Sequence, residues 1–219
     1  MRVAFLTKRE KVGVSEAIKF SKSIFTQLEI FSGGINDPFP KRLYRQQFEI
    51  LISYISPWIV PNEVLKKTKK WNINFHPGPP EYPGIGCFNF AIFDSAKEFG
   101  ATAHLMESKV DTGEIIGVAR FPMGENETVE SLSLETYSAM LSLYKDIISY
   151  VVDNHSVPEC SEYWKREPYK RKELEDLATI KADMSKQEID RRIRATYYPG
   201  KPAPFVQIAG YRFEYDPER

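Results

Sequence analysis

The sequence predicts an α/β fold: a Rossmann-like, mostly parallel twisted sheet flanked by helices, with a short C-terminal helix plus β-hairpin. Three observations predict it. Between residues 3 and 152, short apolar runs alternate with amphipathic stretches, the rhythm of parallel strands joined by crossover helices. Residues 48–54 are apolar enough to lie mid-sheet, covered on both faces. Residues 205–215 alternate apolar and polar positions around Ala209-Gly210, as a hairpin does.

Residues 3–6 form the apolar first strand, and Thr7, Lys8 and Arg9 follow its C-terminal end. Ligands of open α/β sheets sit beyond strand C-termini, so Lys8 and Arg9 either contact a phosphate or form a solvated basic turn. Residues 15–27 read as a helix capped by Ser15, with Ile18, Ile24 and Leu28 on one face. A second strand spans residues 28–31, and residues 33–40 are a loop. Residues 48–54 lead into an apolar loop, 55–61, and then a basic helix over 63–70. A helix over 88–99 carries Phe88, Ala91 and Ile92 inward and ends at Gly100. Strands at 101–106 and 114–121 flank a loop bearing Asp111.

Thr128 caps a long helix running to about Val152, whose stripe of Leu132, Tyr137, Met140, Leu141, Tyr144, Ile147, Ile148 and Val151 is core. Composition shifts after Asn154, and residues 163–172 read as a surface linker. Ser185 and Glu188 make a capping box for a short helix ending at residues 191–194. A lone hairpin is marginal, so residues 205–215 are expected to lie against the main domain or a second subunit. The expected division is a catalytic domain over 1–160 and a C-terminal segment over 161–219.

Thirty basic and thirty acidic residues leave no net charge, which argues against a nucleic-acid partner. Cys87 and Cys160 lie far apart without CxxC spacing, as free thiols of a reducing compartment do. The N-terminal apolar run is too short for a signal peptide, and none approaches the ~20 residues of a membrane span. The expectation is a cytoplasmic protein with no membrane partner. His76, His104 and His155 lack zinc-ligand spacing, so no metal is expected.

The stretch with chemical content is Asn72-Ile-Asn74-Phe-His76-Pro-Gly-Pro-Pro-Glu-Tyr82-Pro-Gly84. Positions two apart on a strand face the same way, so an amide and an imidazole are presented together before a stiff loop. Taken alone, the pair also suits a strand end whose side chains merely satisfy loop backbone. Gly100-Ala-Thr-Ala-His104 and Lys109-Val-Asp111-Thr-Gly-Glu-Ile-Ile follow downstream. In this order the three segments resemble the 10-formyltetrahydrofolate-dependent formyltransferases, over roughly residues 1–154.

The resemblance implies Asn74, His76 and Asp111 as catalytic residues and 10-formyltetrahydrofolate as co-substrate. It implies Trp58, Ile59, Val60, Gly86, Ser108, Lys109 and Val110 as folate contacts, with a hydrophobic plug as the rival reading of Trp58, Ile59 and Val60. His104 matches a position beside the cofactor, though a hydrogen-bonded strand histidine is favoured; His155 is read as exposed. Formyl transfer needs a base, which an imidazole supplies near neutral pH, and an oxyanion donor, for which an amide is typically worth ~3 kcal/mol. Asp111 orients or charges that base.

The short C-terminal tail most resembles the compact nucleotide-sugar N-formyltransferases. That implies a dTDP-type amino sugar of O-antigen or lipopolysaccharide synthesis as acceptor, a homodimer, and Lys8, Arg9, Tyr82 and Tyr198 as substrate contacts. Glycinamide ribonucleotide and methionyl-tRNA are alternative acceptors, though residues 7–13 lack the glycine- and serine-rich loop of the glycinamide enzymes. A formyltetrahydrofolate hydrolase and a catalytically silent binding module are the readings from other classes.

Overall fold

Strand β1 (Arg2–Lys8) opens a six-stranded sheet in the computed structural model, which describes residues 1–217. The others are β2 (Gln27–Gly33), β3 (Ile50–Tyr54), β4 (Trp71–His76), β5 (Glu98–Leu105) and β6 (Ile115–Pro122), in the spatial order β2-β1-β3-β4-β5-β6. β2, β1, β3 and β4 are mutually parallel, whereas β5 and β6 run antiparallel. All five residues of β3 are buried, as its unbroken apolar run demands of a central parallel strand.

Alternate residues of each strand feed two layers, the period-2 consequence of the pleat. Val3, Phe5, Ile50 and Ile52 pack under α1 (Val14–Ile24) and the long α4 (Val129–Asn154). Ala4, Leu6 and Leu51 pack on the other face against Leu43, Phe48, Val60, Val64 and Leu65. Tyr144 of α4 centres the first layer, its ring 4.9 Å from Phe75 and 5.1 Å from Tyr54. A third cluster joins α3 (Cys87–Phe93), α4, α5 (Arg171–Ala178) and α6 (Lys186–Thr196), through Phe90, Leu132, Leu177 and Ala195. β7 (Phe205–Ile208) and β8 (Tyr211–Glu214) turn at Ala209 and Gly210, both at positive φ, the pairing a two-residue hairpin turn requires.

The long helix is capped as expected: Thr128 Oγ1 accepts from the Ser131 amide at 3.1 Å, and the apolar stripe is buried except for half-buried Leu141. Several boundaries differ. The first helix starts at Val14 behind left-handed Gly13, so Ser15 is no cap; its hydroxyl meets Glu16, and Leu28 belongs to β2. The helix expected over 63–70 is one turn, α2 (Asn62–Leu65). The helix expected over 88–99 stops at Phe93 because Ser95 takes positive φ, and Glu98 already begins β5. Gly100 therefore lies mid-strand, with the Ala119 carbonyl where a Cβ would go. The linker reading of 163–172 overlooked α5, whose first turn is closed by Glu173 Oε2 accepting from the Lys170 amide at 2.8 Å. Ser185 does cap α6 at the Glu188 amide, but Glu188 pairs with Arg192 rather than closing a box. Among the described residues no helix is long and apolar enough to cross a membrane.

Candidate active site

At the C-terminal end of the interior strand β4, Asn74 and His76 project to one side, and antiparallel β5 brings His104 opposite Asn74. The loop between β5 and β6 returns Asp111 to the same place, with positive φ at Asp111 itself. The four side chains form one network. His76 Nδ1 lies 3.2 Å from Asp111 Oδ2, and His104 Nε2 lies 3.2 Å from Asp111 Oδ1. Asn74 Nδ2 is 3.0 Å from His104 Nε2 and 3.5 Å from Asp111 Oδ1. The Gly84 amide donates to Asp111 Oδ2 at 2.8 Å.

Carbonyls only accept, which fixes the protons. His76 Nε2 is 2.9 Å from the Tyr82 carbonyl and must donate to it. His104 Nδ1 likewise donates to the Leu105 carbonyl at 2.8 Å, and its Nε2 sits between Asn74 Nδ2 and Asp111 Oδ1. His76 Nδ1 then faces the Asp111 carboxylate at 3.2 Å. Burial alone raises the Asp111 pKa, but His76, His104 and the Gly84 amide outweigh it and hold the carboxyl well below its ordinary value. In this orientation both nitrogens of His76 are engaged, which fixes the plane of the ring.

A cavity of about 220 Å³ opens beside this network. Trp58, Ile59, Val60, Lys109 and Val110 line it, together with Asn74, His76 and Asp111. Trp58 is fixed from behind: Nε1 donates to the Asp37 carbonyl at 2.8 Å, and the indole lies where a Gly33 Cβ would stand, 2.2 Å from Cζ2. Ile59 is 73% exposed and Val110 44%, while Val60 is buried in the core and Trp58 packs half-buried against it, so the plug reading suits Val60 and in part Trp58. The apolar walls and the polar end fit a flat, partly aromatic ligand with one reactive edge.

The remaining expected contacts lie elsewhere. Gly86 heads α3 against Leu174 and Phe90, and Ser108 is exposed beside the cavity without lining it. Arg9 is paired with Asp37. The Tyr82 ring is buried against Phe99 and Tyr169, leaving only its carbonyl at the site. Tyr198 lines a separate cavity of about 960 Å³. Cys87 is buried and its thiol pushed up to about 12 by desolvation, so it is no nucleophile. His155 is exposed at the end of α4.

One residue escaped the sequence reading. Trp164 sets its edge against His104 (5.2 Å between centroids) and His76 (5.9 Å), and its Nε1 donates to the Gly113 carbonyl at 2.8 Å. The strap that carries it is pinned by Lys165 N to the Pro80 carbonyl and Tyr169 N to the Pro83 carbonyl. Arg120 also bridges Glu81 to Glu162. A tryptophan in a charge-dense stretch was the available signal.

Residues 41–148 match the formyl transferase family. The GDP-perosamine N-formyltransferase of Brucella melitensis is 28% identical over 196 residues, which cover 88% of this chain and 70% of that one. A sugar N-formyltransferase from a Shewanella species superposes with a TM-score of 0.77 at 16% identity, covering 98% of this chain and 96% of that one. The N-formyltransferase of Helicobacter canadensis, in complex with folinic acid and dTDP-3-aminofucose, gives 0.76 at 19% identity over 97% of this chain and 86% of that one. The architecture is shared with these structures.

Proposed function

The chain carries a formyl transferase domain, and from that premise we propose that it transfers the formyl group of 10-formyltetrahydrofolate to the amine of a nucleotide-linked amino sugar. The observation that carries this reading is the network of Asn74, His76, His104 and Asp111 at the polar end of an apolar slot. Folate is a substrate here: its flat ring system suits the walls formed by Trp58, Ile59 and Val110, with the formyl carbon toward Asn74 and His76.

The amine lone pair attacks the formyl carbon, and the carbonyl oxygen becomes an oxyanion. The Asn74 N–H that now makes the long contact to Asp111 turns to the stronger acceptor. His76, oriented by Asp111, donates from Nε2 to the oxyanion once its bond to the Tyr82 carbonyl is exchanged for one to the substrate. Such bonds commonly tighten only in the reacting complex. His76 gives its Nε2 proton to the departing folate nitrogen and takes up the ammonium proton in its place, so the carbon–nitrogen bond to folate breaks with the proton count unchanged. The histidine thus works together with Asp111, as the resemblance implied.

The nucleotide and the sugar are the finer part of the proposal: a dTDP-type amino sugar, with GDP-linked sugars competing because the Brucella relative is named for one. The test is purified protein with 10-formyltetrahydrofolate and, in turn, dTDP- and GDP-linked amino sugars, glycinamide ribonucleotide, methionyl-tRNA and no acceptor. Formylated sugar nucleotide is the expected product. Tetrahydrofolate release at the same rate without acceptor replaces this reading with hydrolysis. Asn74→Ala should lower kcat by about 10²–10³, as loss of one oxyanion donor does.

A further inference from the structure

The stretch matched to the formyl transferase family stops at residue 148, yet a residue beyond it is tied to the catalytic carboxylate through backbone alone. Gly84 and Tyr169 form an isolated parallel β-bridge. Tyr169 makes both of its bonds: its amide donates to the Pro83 carbonyl at 2.9 Å, and its carbonyl accepts from the Ile85 amide at 3.1 Å. In a parallel pair the residue opposite turns its own N–H to the far side. There the Gly84 N–H donates to Asp111 Oδ2 at 2.8 Å. The approach is so close that a Cβ on Gly84 would stand 2.5 Å from the Tyr169 carbonyl oxygen, and Gly84 holds a φ of +87°. Only glycine meets both demands without strain.

The Tyr169 side chain fixes that backbone in place. Its ring stacks on Phe90, with centroids 3.6 Å apart and planes 9° apart, and the Arg166 guanidinium lies 3.2 Å from the ring centroid. Two groups that near one centroid occupy opposite faces, so the ring is sandwiched. Phe90 is a buried residue of α3, and Arg166 is tethered in turn to Glu173 of α5 at 2.8 Å. Asp111 has few restraints of its own. Residues 107–110 of its loop are exposed, and Asp111 itself takes positive φ. Its carboxylate is therefore aimed by its polar partners: His76, His104, the Gly84 amide and, at longer range, Asn74. Oδ2 is shared between His76 and the amide.

We propose that Tyr169 is a positioning residue for formyl transfer: its sandwiched ring holds the strap against residues 83–85 and thereby keeps the Gly84 N–H aimed at Asp111 Oδ2. Without the ring the strap slides off Gly84, the amide swings away, and Oδ2 drifts relative to His76 Nδ1. The effect falls on the reacting geometry rather than on substrate binding, because neither Tyr169 nor Gly84 lines either of the two large cavities. The proposal takes its kinetics from the formyl-transfer reading above, whereas its spectroscopy is independent of that reading.

The titratable groups that bear on Asp111 are His76 on β4, His104 on β5 and the Cys87 thiol at the head of α3. The Gly84 amide favours the ionised carboxylate, so its withdrawal raises the Asp111 pKa and moves the acid limb of kcat to higher pH.

The test compares wild type with Tyr169→Ala, Tyr169→Phe and Arg166→Met. Turnover of 10-formyltetrahydrofolate with a sugar nucleotide is measured alongside NMR of the glycine amides and the histidine rings. Tyr169→Ala should lower kcat about tenfold or more and leave both KM values within about twofold. Its Gly84 amide proton should move upfield and exchange faster, with the acid limb of kcat at higher pH. Tyr169→Phe should restore both readouts. Arg166 is exposed, so Arg166→Met should fold normally and show a smaller change of the same sign; it decides the matter if Tyr169→Ala does not fold. An unmoved Gly84 amide overturns the proposal even where kcat falls, and so does a raised KM at unchanged kcat. An unmoved amide with formylation intact removes the positioning role and keeps the reaction. A displaced amide in a protein whose wild type formylates no sugar nucleotide leaves the role standing and removes the reaction.

Discussion

Asp111 is held ionised by two imidazoles and a backbone amide against the opposing effect of its burial. Its folded pKa lies below the unfolded one, so its stabilising contribution is complete above about pH 4 and fades as pH falls through that value. The stability difference between wild type and Asp111→Asn, measured by urea midpoints, should therefore shrink steadily below about pH 4. A difference that stays constant with pH would show that Asp111 acts by packing alone. Trp164→Phe keeps the ring edge against His76 and His104 but removes the hydrogen bond to Gly113. It should shift the pH profile of kcat more than it changes KM, because it loosens the loop that aims Asp111. Asn74 and His76 were legible as a pair because positions two apart on a strand face one way, whereas Asp111 entered only through the resemblance carried by the three segments. Trp164 was not, because its partners are set by a crossing strap rather than by local spacing. The clamp on His76 was equally hidden: a backbone carbonyl at Tyr82 leaves no mark in side-chain identity.

At the scale of the element, caps and close approaches decide boundaries that apolar periodicity leaves open. Thr128 and Ser185 announced their helices, whereas Gly13 starts α1 by backbone conformation, which a serine two residues later disguised. Thr128→Ala should destabilise the protein by about 1 kcal/mol, read as a lower melting temperature, since the Ser131 amide loses its acceptor. Gly33 ends β2 directly beneath the Trp58 indole. A methyl group there must displace the ring, since the gap to Cζ2 is far below van der Waals contact. Gly33→Ala should weaken tetrahydrofolate binding while sparing nucleoside-diphosphate binding, measured by titration of each ligand. Equal losses at both would count against Trp58 as a wall of the folate slot.

Across the whole molecule, the parallel sheet and its buried β3 were readable because burial on both faces leaves an unbroken apolar run. The reversal at β5 was less so, since Gly100 and Ser95 act through backbone geometry that favours no single residue pattern. Tyr144 ties α4 to three strands by aromatic contacts, with its hydroxyl bonded to Ser21. Tyr144→Ala should cost about 3–5 kcal/mol, the range for emptying a large aromatic site, and be seen as loss of cooperative unfolding at moderate urea. The strap over residues 163–169 has a practical consequence for anyone cutting the gene. A fragment ending near residue 160 keeps every strand of the main sheet but discards the tryptophan and the backbone pegs that brace its reactive corner. The smallest transplantable unit therefore reaches at least to Tyr169, and chimaeras joined before it should express as folded but sluggish proteins.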